Sequence, residues 1–210
     1  MSATSDSCRL DPSDAADARG TRMDWWVVMV RFVIVPGVGG SEEDHWQTRW
    51  EQGWGTDAVR IAPRSWDAPE QDDWVDAVDR AVRSLDVARS EVIVIGHSLG
   101  CWAATEWLTE AAGPPVRGMM LVAPPDPAGA AFAAAAGPTF AHVRARPLDG
   151  ASVVVASTDH PYCSVEEAGV LAVRWGSDLR VVGARGHLNA ASRLGRWEEG
   201  REILEGLLRG

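Results

Sequence analysis

The sequence has 210 residues, which is enough for one domain with a full hydrophobic core and too few for two domains of ordinary size. Its hydrophobic fraction of 46% is typical of a globular protein. The formal net charge of -10, with no basic patch to offset it, excludes nucleic acid and acidic membrane surfaces as expected partners. A small neutral substrate is easier to accommodate than a polyanion.

The cysteines, Cys8, Cys101 and Cys163, are widely spaced and odd in number, which indicates reduced thiols in a cytoplasmic protein. The patterns C-x-x-C and H-E-x-x-H do not occur, so we predict no metal and no other cofactor. The apolar run Trp25 to Val35 contains Arg31 and is too short to span a bilayer as a helix. We interpret it as a core strand, and we expect no membrane partner.

The predicted elements, in chain order, begin with a tail that lacks apolar periodicity. Residues 1–24 are predicted to be disordered and residues 25–210 to form a single domain. Predicted strands follow at Val27–Val35, Ala58–Ala62, Val92–Ile95, Gly118–Ala123, Ser152–Ala156 and Leu179–Val182. Predicted helices occupy Ser41–Gln52, with Ser41 as N-cap, and Pro69–Leu85, Cys101–Leu108, Val165–Trp175 and Trp197–Leu208.

This alternation of strands and helices is typical of an α/β fold. It predicts a mostly parallel sheet of about six strands with helices on both faces. The alanine-rich stretch Ala128–Ala136 is interpreted as an ordinary packing helix or as a short cap over a pocket. Neither interpretation leaves room for a large lid.

The residues from Gly96 to Gly100 read G-H-S-L-G and form the pattern G-x-S-x-G between a predicted buried strand and a predicted helix. A serine on such a sharp turn has strained backbone angles, and the two glycines leave room for the turn. The hydroxyl of Ser98 would then lie at the helix N-terminus, where backbone N–H groups face developing negative charge. We predict a nucleophile elbow, with an ordinary glycine-rich turn as the alternative.

In the α/β-hydrolases that carry such an elbow, the catalytic residues follow in the order serine, acid, histidine. Ser98, Asp159 and His187 follow the third, fifth and sixth predicted strands, so all three are expected at one end of the sheet. We predict that they form a Ser-Asp-His triad. Asp126, which follows the fourth strand, is the competing acid. The remaining histidines are expected to be structural or exposed: His45, His97, His142 and His160.

The glycine-rich loop from Pro36 to Ser41 follows the first predicted strand. Loops of this kind can bind phosphate, but the pattern G-x-x-x-x-G-K-[ST] is absent and Glu42 replaces the last glycine of G-x-G-x-x-G. We predict instead that the loop supplies half of an oxyanion hole. Its donor would be the backbone N–H of Val38, and the other donor the N–H of Leu99.

Six blocks of the sequence match the pattern of a known family. They comprise Val35-Pro36-Gly37 with Ser41, His45-Trp46-Gln47 with Trp50 and Glu51, Gly96 to Cys101, Leu121 to Asp126, Ala156-Ser157 with Pro161-Tyr162, and Gly186 to Ser192 with Gly195, Trp197 and Gly200. From about Val33 to Gly200, the chain resembles the small serine hydrolases related to YdeN and to retinoblastoma-binding protein 9. The resemblance implies a compact α/β-hydrolase with a Ser-Asp-His triad and little or no lid.

The chain departs from that family at the acid. The family's acid stands directly before Pro-Tyr or Pro-Phe, where this sequence has His160, and Asp159 stands one residue earlier. We predict that a rearranged turn lets Asp159 serve as the acid, with a weakened or inactive triad as the alternative. The family's link to a retinoblastoma-type pocket protein uses the motif L-x-C-x-E. Here Leu99-Gly100-Cys101 lacks the glutamate, so no such partner is predicted.

The sequence therefore predicts a serine hydrolase that cleaves small ester or related acyl substrates. Ser98 attacks the carbonyl, His187 transfers the proton, and Asp159 orients His187. The alternative is a hydrolase-fold protein that acts as a binding module, which its eleven tryptophans favour because tryptophan is enriched at interfaces. We expect Trp46, Trp50 and Trp197 to be core residues instead.

Overall fold

The computed structural model describes residues 30–110 and 115–209. The predicted tail and the first residues of the first predicted strand lie outside this range. The described residues contain six strands: β1 (Arg31–Val35), β2 (Ala58–Arg60), β3 (Val92–His97), β4 (Gly118–Val122), β5 (Ala151–Ala156) and β6 (Asp178–Val181). They form one sheet in the order β2-β1-β3-β4-β5-β6, and every neighbouring pair is parallel. The predicted parallel α/β sheet is confirmed.

One α-helix follows each of these strands along the chain. These helices are α1 (Trp46–Trp54), α2 (Gln71–Ser84), α3 (Leu99–Glu110), α4 (Ala130–Ala136), α5 (Val165–Trp175) and α6 (Glu198–Arg209). The alanine-rich stretch forms α4, and within residues 30–110 and 115–209 no large lid is inserted between the elements. None of these helices is both long and apolar enough to cross a membrane.

The four central strands of the sheet are largely buried on both faces, as the β-branched run in β3 predicts. All six residues of β3 are buried. A hydrophobic cluster covers each face of the sheet. Val92 and Val94 belong to the cluster with residues of α2, α3 and α5, and Ile93 and Ile95 belong to the one with residues of α1 and α6. This division follows from the period of two along a strand.

The start of α1 differs from the prediction. Ser41 is not its N-cap, because the N–H of His45 donates to the carbonyl of Glu42 at 3.0 Å and this turn delays the helix. His45 is the N-cap instead, and its Nδ1 accepts the N–H of Gln47 at 3.2 Å. The Ser41 hydroxyl donates to the side-chain oxygen of Gln47 at 2.7 Å.

Most of the tryptophans are core residues. Those with less than 2% of their surface exposed are Trp46, Trp50, Trp74, Trp102, Trp107 and Trp175. Trp197 is 4% exposed, and its ring lies 4.9 Å from that of Trp46. The predicted core positions of Trp46, Trp50 and Trp197 are therefore confirmed, and the high tryptophan content does not by itself indicate a binding surface.

Candidate active site

Ser98 is the single residue between the end of β3 at His97 and the start of α3 at Leu99. Its φ of 54° is left-handed, which is uncommon for a residue other than glycine and is often found at functional sites. The turn is held on both sides, because the N–H of Ser98 donates to Val122 and its carbonyl accepts the N–H of Cys101, both at 3.0 Å. This is the strained turn that the G-x-S-x-G pattern predicts.

The turn at Ser98 lies beside a cavity of about 450 Å³. Ser98 and His187, from the third and sixth strand ends, both line it. The two predicted oxyanion donors, Val38 and Leu99, line the same cavity. The structure thus brings together four of the five predicted site residues. Asp159 is not among the lining residues.

The glycine-rich loop lies directly against the elbow. A Cβ added at Gly37 would lie 2.7 Å from the Cβ of Ser98, so only glycine allows this approach. The N–H of Gly39 donates to the carbonyl of Trp66, and that of Gly40 to Gly37, both at 3.0 Å. In the described part of the chain the N–H of Val38 has no such partner, which leaves it available to an oxyanion.

Asp159 makes contacts other than the predicted one. Its carboxylate accepts hydrogen bonds from the hydroxyl of Ser157 at 2.7 Å and from the N–H of Gly186 at 2.6 Å. These two hydrogen bonds lower the pKa of the exposed Asp159 carboxyl below its usual range, and the bond from Ser157 has the larger effect. The carboxylate therefore anchors the loop that carries His187, one residue away from the imidazole it was expected to orient.

His160 takes the contact that was predicted for Asp159. Its Nε2 lies 2.6 Å from Nδ1 of His187, and the two ring planes are within 13° of each other. A contact this short is closer than stacked rings approach, so the rings meet edge to edge with their nitrogens facing. His160 is expected from the sequence to be structural or exposed, and the structure places its partly buried ring against the predicted base. Its position directly before Pro161-Tyr162 was the sequence feature that marked it.

Two further histidines surround His187. Nε2 of His97 lies 2.9 Å from the carbonyl oxygen of His187, so this nitrogen carries the proton and donates. The ring of His45 lies 4.8 Å from that of His97. Three of the four histidines expected to be structural or exposed thus lie around the predicted base, and His142 is exposed, away from them.

Burial keeps these histidines uncharged. Desolvation lowers the pKa of His187 to about 2, with smaller effects from His97, His160 and His45. It likewise lowers the pKa of His45 to about 2 and that of His97 to about 4. A neutral imidazole is the form that can take a proton from serine, although a strongly lowered pKa also makes it a weaker base.

These lowered pKa values predict a loss of stability in acid. The unfolded chain binds protons at these histidines below about pH 6.5, whereas the folded chain does not until near pH 4 or lower. As far as these histidines determine it, the free energy of unfolding is therefore expected to be highest above pH 6.5. It should fall below that pH by up to roughly 1.4 kcal/mol per pH unit for each buried histidine.

Urea unfolding at about pH 7 and about pH 5 measures this effect. His97→Gln should reduce the pH dependence, because it removes one group that must stay neutral in the folded state. His142→Gln is the matched control at an exposed site and should leave the dependence unchanged. An equal dependence in wild type and His97→Gln would contradict the prediction.

Within residues 30–110 and 115–209, no three or more His, Cys, Asp or Glu side chains are arranged to hold a metal ion. Cys101 is buried behind the elbow with its thiol directed at the carbonyl of Val122 at 3.4 Å. Desolvation raises the pKa of this thiol, so it is not activated as a nucleophile.

The parallel sheet, the serine on its elbow and the cavity at the strand ends define an α/β-hydrolase. The family profile described as serine hydrolase matches residues 32–206. The chain therefore belongs to the serine hydrolase family, and the resemblance to YdeN-related members is confirmed. A search of curated proteins finds no match.

Solved structures give the same result. The chain is 33% identical to a YdeN-like hydrolase of Pectobacterium atrosepticum, with a TM-score of 0.74 over 88% of this chain and 93% of that one. It is 18% identical to the ydeN gene product of Bacillus subtilis, with a TM-score of 0.73 over 86% and 100%. The carboxylesterase of Bacillus cereus is 16% identical, with a TM-score of 0.54 over 86% and 89%, and shares the fold.

Proposed function

We propose that this protein hydrolyses small esters or related acyl compounds through an acyl-enzyme intermediate on Ser98. The observation that carries the proposal is the left-handed turn at Ser98, which opens into a cavity that His187 also lines. Strained backbone at a functional turn is retained only where the surrounding structure enforces it. Membership of the serine hydrolase family supports the same assignment.

The reaction follows from the groups at the cavity. Ser98 Oγ attacks the substrate carbonyl carbon while its proton passes to His187 Nε2. The N–H groups of Leu99 and Val38 stabilise the oxyanion, and the leaving group takes the proton from His187 as its bond to the acyl carbon breaks. Water then attacks the acyl carbon and gives one proton to His187 Nε2. His187 passes this proton to Ser98 Oγ as the bond from Oγ to the acyl carbon breaks, which releases the acid and free Ser98.

The walls of the cavity support a small, largely apolar acyl group. Leu99 and Pro125 line one part, and the side chains of Phe132 and Ala136 from the short helix α4 line another. The cavity volume of about 450 Å³ lies near the lower end of the usual range for ligand pockets. The carboxylesterase of Bacillus cereus, which shares the fold, is consistent with an ester substrate.

One observation favours the alternative of a binding module, namely that the carboxylate of Asp159 contacts Gly186 and Ser157 and not His187. Labelling with a fluorophosphonate separates the two functions, since only an activated serine reacts. We expect intact mass spectrometry to show one adduct on the wild-type chain. Neither Ser98→Ala nor heat-denatured wild type should label. An unlabelled native chain would favour the binding module.

A further inference from the structure

We propose that His160 is the third member of the catalytic unit, so that this hydrolase uses Ser98, His187 and His160 in place of a Ser-His-carboxylate triad. The proposal rests on the proposed function of Ser98 and His187. His160 is a positioning residue in it, because it acts on the substrate only through His187. The geometry at both nitrogens of His160 supports this role.

The hydrogen bonds of His160 determine where the protons lie. Its Nδ1 is 3.3 Å from the carbonyl oxygen of Cys163, which can only accept, so Nδ1 carries the proton. In the neutral ring Nε2 is then an acceptor, and its partner at 2.6 Å is Nδ1 of His187. His187 must donate from Nδ1, which leaves the lone pair on its Nε2.

That lone pair is the one that catalysis requires. A general base in a serine hydrolase takes the serine proton at Nε2, and the third residue holds this tautomer by accepting the Nδ1 proton. A carboxylate does so as an anion. His160 can do so as a neutral ring, because desolvation lowers its pKa and keeps it uncharged near neutral pH, against weaker opposing effects of the Cys163 carbonyl and of Asp159.

The surroundings of His160 fix its ring. Its backbone N–H donates to the carbonyl of Ser157 at 3.4 Å, and Tyr162 packs edge-on at a centroid distance of 5.8 Å. Tyr162 also packs edge-on against His187 at 4.8 Å. The two imidazoles are thus held by a shared neighbour, and Asp159 anchors the His187 loop through Gly186.

Proton transfer remains balanced with a neutral third residue. When Ser98 gives its proton to His187 Nε2, His187 becomes an imidazolium. It keeps its proton on Nδ1 and donates a hydrogen bond from there to Nε2 of His160. His160 gains and loses no proton in the cycle. The imidazolium lacks an adjacent anion, so it is stabilised less than in a triad with a carboxylate.

The same arrangement predicts an unusual pH profile. His187 faces His160 and Tyr162 from the loop after β5, His97 from β3, and His45 at the start of α1. The carboxylate of Asp159 bonds to the backbone of Gly186 and not to the ring, and Glu42 lines the same cavity as His187. With its pKa lowered by burial and by these histidines, His187 stays deprotonated well below pH 6.5. The acid limb of kcat/KM should therefore lie below pH 6.5.

Hydrolysis of p-nitrophenyl butyrate across this pH range tests the role of His160. We expect His160→Ala to lower kcat/KM by about tenfold to a thousandfold, because His187 loses the acceptor that fixes its tautomer. His160→Gln should recover part of the rate, since its amide oxygen can accept the same proton. His142→Ala, at an exposed site, is the matched control and should leave the rate unchanged.

His160→Asp gives the sharpest result. A carboxylate beside Nδ1 should raise kcat/KM above wild type and move the acid limb to higher pH, because an adjacent anion raises the pKa of His187. A purely structural histidine would not produce this shift. The proposal is overturned if His160→Ala keeps the wild-type rate and acid limb, or if Asp159→Asn loses as much rate as His160→Ala and moves the limb as far.

A second measurement does not depend on esterase activity. Imidazole ¹⁵N chemical shifts in the full chain distinguish a protonated from an unprotonated nitrogen. We expect protons on Nδ1 of both His160 and His187 and none on either Nε2. A proton on His187 Nε2 would overturn the inference. If Ser98→Ala hydrolyses the ester as fast as wild type, the proposed function fails, and the chemical shifts then decide on the histidine pair separately.

Discussion

Ser98→Ala is expected to remove nearly all catalysed hydrolysis of p-nitrophenyl acetate and butyrate. In a serine hydrolase, removing the nucleophile costs on the order of a millionfold in kcat, and removing the acid alone costs roughly thirty-thousandfold. The loss of activity in Ser98→Ala should therefore fall between two limits. It approaches a millionfold if His160 fully replaces a carboxylate. It is only about a hundredfold if His160 contributes nothing, because the wild type would then already lack the effect of the third residue.

The substitution is well suited to this test because it leaves the turn intact. Alanine retains a Cβ at φ 54°, so it has the same backbone strain as serine and removes only the hydroxyl. Thermal unfolding of both chains checks that the fold is unchanged, and a second measurement with His187→Gln should show a comparable loss. Residual activity within tenfold of wild type would rule out Ser98 as the nucleophile.

The sheet and the elbow could be predicted from the sequence because both depend on local patterns. The β-branched run in β3 is buried on both faces, and the glycines two residues before and after Ser98 leave room for its sharp turn. Strand order then placed Ser98 and His187 at the same end of the sheet. These inferences use the period of a strand and the parallel connection of strands, both of which can be read from sequence.

The partner of His187 could not be predicted in this way. Asp159 and His160 are adjacent, and which of them faces the imidazole depends on the backbone of one turn. In the structure that turn directs the Asp159 carboxylate to the N–H of Gly186 and the His160 ring to Nδ1 of His187. Sequence spacing places both residues in the correct loop, but a difference of one residue reverses their roles.

The N-cap of α1 illustrates the same limit. Ser41 is a common capping residue, and acidic residues follow it, so the pattern favoured a helix start there. A hydrogen-bonded turn at His45 delays the helix, and Ser41 contacts the side chain of Gln47 instead. Gln47 in turn donates to the carbonyl of Ile95 in β3 at 3.0 Å. Tertiary contacts at the strand ends thus override a local capping preference.

Gly100→Ala is expected to destabilise the fold by at least about 3 kcal/mol. A Cβ at this position would lie 2.2 Å from the carbonyl oxygen of Val35 and 2.3 Å from that of Pro36. Both oxygens belong to backbone, and Val35 is fixed by its pairing with Gly96 in the sheet. The added methyl group can be accommodated only if α3 moves away from β1.

That movement would also alter the site, since α3 begins directly after Ser98 and the glycine-rich loop begins directly after β1. Urea unfolding measures the loss of stability, and the rate of ester hydrolysis should fall with it. Gly206→Ala in α6 is the matched control, because nothing lies within 4 Å of its added Cβ. Helix propensity should make that variant more stable by about 0.5–1 kcal/mol. If Gly100→Ala unfolded at the same urea concentration as wild type, α3 would not be packed against β1 as closely as the elbow requires.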